Sequence, residues 1–143
     1  MVLGCTKKEQ KDIEPYSIKQ FMNNTSVFGS SFSPGEEKLL YTSNESGVYN
    51  AYEASLKEDS SKQLTQREET TYALSYFPND ERILLASDKG GNELYHIYLR
   101  QENGTIEDLT PYENARASFS GWSHDRKSLF FTSNKRNPKF MDL

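Results

Sequence analysis

The chain has 143 residues and a formal net charge of −4, with 27% charged residues of both signs interspersed, so no basic block marks it as a nucleic-acid binder. No apolar run approaches the roughly 18 residues that a membrane-spanning helix needs, and one cysteine excludes a disulfide within the chain. Nine Tyr, eight Phe and one Trp, beside few long aliphatic stripes, favour strands over helices.

Residues 1–16 open as MVLGCTKKEQKD. Val-Leu-Gly before Cys5 resembles the lipobox of bacterial lipoproteins, in which an apolar and a small residue precede the cysteine that is acylated. The polar stretch through Glu14 suits a tether leaving a membrane surface. A basic n-region and most of an apolar h-region are missing, so either the start lies inside a signal peptide or Cys5 is an ordinary cytosolic thiol. Residues 17–26 follow as a short lead-in. Ser17 can cap a helix over SIKQFMNN, with Ile18, Phe21 and Met22 on one face.

From residue 27 the chain repeats itself. FSPGEEKLLYTSN (Phe32 to Asn44) returns as YFPNDERILLASD (Tyr76 to Asp88) and as WSHDRKSLFFTSN (Trp122 to Asn134), aligned without a gap. Each unit reads as short strands divided by turn chemistry. The first has VFGSSFS, KLLYTS, YNAYEASL and KQLT, with turns at Pro34-Gly35 and Asn44 to Gly47. The second has YALSYF, RILLAS, ELYHIYL and EDLT, and the third has SFSGWS and SLFFTS before breaking off at Lys139 to Leu143, where its third strand is expected.

Four antiparallel strands at a spacing of about 45 residues define the blade of a β-propeller. The expected fold is therefore all-β, an incomplete propeller with blades at about 27–66, 71–110 and 117–143. Ser31, Ser75 and Gly121 each stand one residue before Phe32, Tyr76 and Trp122. Small residues there suit crowding near an axis, and the aromatics suit the space between blades.

The first-turn tetrads, the Gly-x-Tyr-x-x-Tyr that follows and the closing Gln-Leu-Thr resemble the propeller repeat shared by the prolyl oligopeptidase family of serine peptidases and TolB-like periplasmic proteins. Those repeats carry Ser-Pro-Asp-Gly at the first turn. This chain has Ser-Pro-Gly-Glu, Phe-Pro-Asn-Asp and Ser-His-Asp-Arg, all turn formers. The short lead-in resembles the entrance to the propeller of bacterial peptidases of that family, whereas TolB-like proteins bring a separate α/β domain first.

The resemblance implies that chemistry lies elsewhere, in a C-terminal α/β-hydrolase domain with its serine in a Gly-x-Ser-x-Gly elbow. No such elbow occurs in this sequence, nor a metal-spaced Cys/His set or a nucleotide loop. We therefore assign no catalytic, cofactor-binding or metal-binding residue, and Cys5 is the one modification candidate, for a lipid. His96 in an outer-strand pattern and His124 in a turn read as packed or solvated. Glu53, Asp88, Asp125 and Asp142 read as turn and surface carboxylates, because no dense calcium-ligand loop is present. Asn23, Asn24, Asn44 and Asn103, which begin Asn-x-Ser/Thr triplets, read as polar turn residues.

The expected partners are the hydrolase domain and a peptide substrate, with no nucleic acid, and with a membrane only through a lipid on Cys5. The implied role is to gate or bind peptide for the hydrolase, in the bacterial envelope as a periplasmic or outer-membrane lipoprotein. The alternatives are a non-enzymatic TolB-like scaffold that binds protein or glycan, and a cytoplasmic location. Three blades are too few to close a ring of typically 4 to 8. Phe32-type and Trp122-type aromatics should then face water at the two open ends, and the chain by itself should be poorly soluble or melt without a sharp transition unless it oligomerises.

Overall fold

The computed structural model describes residues 15 to 143, so the Cys5 assignment falls outside the described residues. A short helix, α1 (Ile18–Met22), starts at a capping box in which Ser17 and Gln20 satisfy each other's backbone N–H groups. Its apolar side chains do not pack as the spacing suggested: Ile18, Phe21 and Met22 are all exposed.

Two four-stranded antiparallel sheets follow. Blade 1 runs in the order β1 (Val27–Phe32), β2 (Lys38–Ser43), β3 (Asn50–Ser55), β4 (Ser61–Gln63), and blade 2 repeats it as β5 (Thr71–Tyr76), β6 (Ile83–Ser87), β7 (His96–Arg100), β8 (Ile106–Asp108). The third unit supplies β9 (Ala117–Trp122) and β10 (Leu129–Ser133). As expected, the described residues hold no third strand in this unit, and a single isolated bridge, Ser133 with Asp142, marks the register in which Ser43 meets Asn50 and Ser87 meets His96.

The core lies between blades. One cluster joins Leu40 and Ala51 of blade 1 to Ala73, Tyr76, Ile83, Leu85 and Tyr98 of blade 2. A second joins Leu84 and Ile97 of blade 2 to Ala117 of blade 3, with Leu74, Phe77, Phe119, Trp122 and Phe131 packed against it. Each sheet thus hides one face against each neighbour.

A bulge recurs in each first strand, where register shifts between Gly29 and Ser31, between Ala73 and Ser75, and opposite Phe130 and Phe131 in the third blade. The small residues beside it do more than relieve crowding. Ser31 Oγ accepts from Tyr76 N at 2.7 Å, and Ser75 Oγ accepts from Trp122 Nε1 at 3.1 Å, so each serine ties its blade to the next. Gly121 has φ +144°, a backbone that side chains disfavour.

Equivalent positions reveal the open ends. Tyr76 is 3% exposed where blade 1 covers it, whereas its counterpart Phe32 is 58% exposed. Leu40 and Leu84 are fully buried against a following blade, and their counterpart Phe130 is 46% exposed. The expectation for Trp122 is corrected: its ring is half-buried against Phe77 at 4.8 Å and Phe119 at 5.6 Å, facing blade 2. The far face of blade 3 presents Phe130 instead.

Two first turns place a non-glycine residue in the left-handed region, Glu36 at φ +54° and Arg126 at φ +59°, at the fourth place of the tetrad where the related repeats carry glycine. A left-handed residue with a side chain costs about 1–2 kcal/mol, so these departures do carry a penalty. Arg126→Gly should raise stability by about 1 kcal/mol, read as a higher urea midpoint. An unchanged or lower midpoint would show that the turn relaxes in solution.

Candidate functional site

In blades 1 and 2 the starts of the first and third strands lie at the same end of the sheet, on either side of the second strand, because both pair antiparallel with it. The sequence puts rings there. Phe28 and Tyr72 are the second residues of β1 and β5, and Tyr49 and Tyr95 immediately precede β3 and β7. Their centroids form a continuous row: Tyr49 to Phe28 is 5.7 Å, Phe28 to Tyr72 is 6.0 Å, Tyr49 to Tyr72 is 5.8 Å and Tyr72 to Tyr95 is 5.9 Å. These are ordinary aromatic contact distances. Phe28 is exposed and the three tyrosines are half-buried, so the row of tilted rings is in contact yet accessible. Partial burial, followed by the neighbouring Tyr72, holds the Tyr95 phenol above its usual range.

The opposite end carries charge. Tyr76 donates its hydroxyl to Glu53 Oε2 at 2.5 Å across the blade boundary. Lys38 lies 3.7 Å from the same carboxylate and 2.9 Å from Glu81. Burial, then the hydrogen bond to Glu53, raises the Tyr76 phenol far above its ordinary pKa, so it acts as a fixed donor. The hydrogen bond to Glu81 is the main cause that holds the Lys38 ammonium above its usual value. We read this network as an inter-blade clasp.

The sequence-predicted residues disperse. His96 opens the third strand of blade 2, not an outer strand, and its Nδ1 lies 2.7 Å from Asp108 Oδ2. His124 is exposed in the β9–β10 turn. Glu53 and Asp88 are not the surface carboxylates expected from sequence: Glu53 belongs to the clasp, and Asp88 is 4% exposed and accepts from Glu93 N at 2.9 Å. Asp125 does serve a turn, where the Ser123 hydroxyl and Lys127 N–H hold its carboxyl below the usual range. Asp142 pairs with Arg136 at 2.7 Å.

The asparagines divide similarly. Asn24 donates to Phe21 O, and Asn103 accepts from Thr105 N within its turn. Asn44 Oδ1 reaches back to Ser26 N at 2.7 Å, and its counterpart Asn134 reaches Arg116 N at 2.8 Å. The repeated Thr-Ser-Asn is therefore a clasp on the strand beside it, which its likeness to a turn concealed. The aromatic row was also missed, because its members sit 21 to 23 residues apart in sequence and meet only when blades stack.

The arrangement of sheets, registers and inter-blade packing defines part of a β-propeller. Its form is that of a TolB-like propeller. The chain is similar to TolB from Acinetobacter baumannii, at 19% identity and a TM-score of 0.60, over 77% of this chain and 27% of that one. It is also similar to a TolB-like protein from Agrobacterium tumefaciens, at 19% identity and a TM-score of 0.65, over 78% of this chain and 40% of that one. At this identity the likeness establishes the fold, and the chain spans well under half the length of either protein. No family model and no curated protein matches the sequence.

Proposed function

We propose that this chain forms part of a propeller that binds peptide and controls its access to a catalytic cavity, as the N-terminal portion of a prolyl oligopeptidase-like serine peptidase. A C-terminal α/β-hydrolase domain would supply the nucleophile. The observation that carries the binding role is the row of four accessible rings from Phe28 to Tyr95, a surface that grips apolar side chains and prolines. The capped helix at Ser17 just ahead of blade 1 resembles the propeller entrance of peptidases of that family.

The structural likeness to TolB proteins supports a second reading, a non-enzymatic scaffold that binds protein or glycan in the cell envelope. Treatment of the native protein, isolated with its natural flanking sequence, with a serine-directed phosphonate separates the two. Labelling of a serine outside these 143 residues is the expected result, and peptide binding without any labelled serine would favour the scaffold.

In either reading we place the protein in the envelope, held by a lipid on Cys5. No helix among the described residues is long and apolar enough to cross a membrane. Expressed in a bacterium with an intact signal region, the protein should fractionate with membranes, and Cys5→Ser should release it. Membrane retention of the serine variant would remove the lipid anchor from the model of function.

A further inference from the structure

Between blades 1 and 2 three rings meet, those of Phe28, Tyr49 and Tyr72. The next boundary repeats two of them as Tyr72 and Tyr95. Where the third ring should stand the sequence has Ser118, the counterpart of Tyr72 in β9. A second departure enlarges the gap: Thr42, whose hydroxyl accepts from Ala73 N at 3.0 Å, gives way to Ala86 in blade 2. The result is a cavity of about 640 Å³ walled by Tyr72, Tyr95, Phe119 and Met141.

The exposed Arg116 lines the same cavity, and its guanidinium forms no ion pair among the described residues. It stands two positions before Ser118, immediately ahead of β9. A cation and a ring-sized gap that line one cavity match one residue that carries both a ring and a carboxylate.

We propose that this cavity is a subsite for the C-terminal aromatic residue of a peptide, its ring completing the triad with Tyr72 and Tyr95 and its α-carboxylate meeting Arg116. The protein's own neighbouring interface shows the fit, because Tyr72 fills the equivalent space there. Charge complementarity supplies the second half of the recognition. The subsite rests on the peptide-binding reading and gives it an end-group preference, independent of any hydrolase domain.

The test uses fluorescence anisotropy of labelled Ala-Ala-Ala-Phe with a free C-terminus, against the native protein isolated with its natural flanking sequence. Exchange of the Phe for Ala should weaken binding by about tenfold or more. Amidation of the C-terminus should weaken it by about three- to tenfold, and Arg116→Gln should abolish the difference between acid and amide. Ser118→Tyr installs the third ring, so it should lower affinity by at least about tenfold while leaving the thermal midpoint unchanged or higher. Peptide binding that ignores both the terminal ring and Ser118→Tyr would overturn the subsite alone. Tighter binding of an internal Phe-Glu peptide would overturn the C-terminal assignment, and failure of every peptide to bind would overturn the subsite and the peptide reading together.

Discussion

Leu84→Ala should lower stability by about 2–5 kcal/mol, whereas Phe130→Ala, the larger truncation at the same repeat position, should cost less than about 1 kcal/mol. The cause is the neighbour. Leu84 is fully buried in the cluster that joins blades 2 and 3, and Phe130 is 46% exposed because no described residue covers the far face of blade 3. Deletion of buried methyl groups loses transfer energy and leaves a cavity, while an exposed ring has little burial to lose. Trp122 packs against the same cluster, so its fluorescence during urea unfolding reports the boundary directly. Equal costs at the two sites would mean that Phe130 is covered in solution, and a small cost at Leu84 would refute the blade packing itself.

The second large effect concerns the clasp. Tyr76→Phe keeps the ring and deletes only the hydroxyl that donates to Glu53 across the boundary of blades 1 and 2. A hydrogen bond to a charged acceptor contributes about 1.5–3 kcal/mol, and Tyr76 is 3% exposed, so solvent replaces little of it. We expect a loss in that range, seen as a lower urea midpoint at unchanged slope. Glu53→Gln retains an acceptor and should lose less. In a double-mutant cycle the two changes should couple by at least about 0.5 kcal/mol. Additive losses would show that the two side chains do not meet.

The inner strands were legible because turn residues punctuate them and short apolar runs fill them: KLLYTS and RILLAS fall on β2 and β6. The third and fourth strands were read too generously. KQLT suggested a strand through Thr65, yet β4 ends at Gln63 and the Thr65 hydroxyl accepts from Ala51 N, a side chain in the place of a ladder bond. ELYHIYL alternates well, but Glu93 has φ +60° and the strand begins only at His96. Local pattern could not show these, since hairpin geometry settles them. The Tyr76–Glu53 clasp and the aromatic row were out of reach for a different reason. Their partners are distant in the chain, and period and propensity describe neighbours along a strand rather than neighbours across stacked sheets.

The bulge in each first strand has a consequence for how such a chain can change in length. In a regular strand, residues three apart face opposite sides, yet Ala73 and Tyr76 both enter the cluster shared with blade 1 while Leu74 packs against the cluster on the other side. The extra residue resets the alternation midway. Removal of one residue there would do more than lose a side chain: it would exchange the two faces of everything from Ser75 to the end of the strand, and carry Tyr76 away from Glu53. Such a strand tolerates exchange of its letters far better than any change in their number. A new blade added by copying must therefore inherit the irregularity along with the pattern.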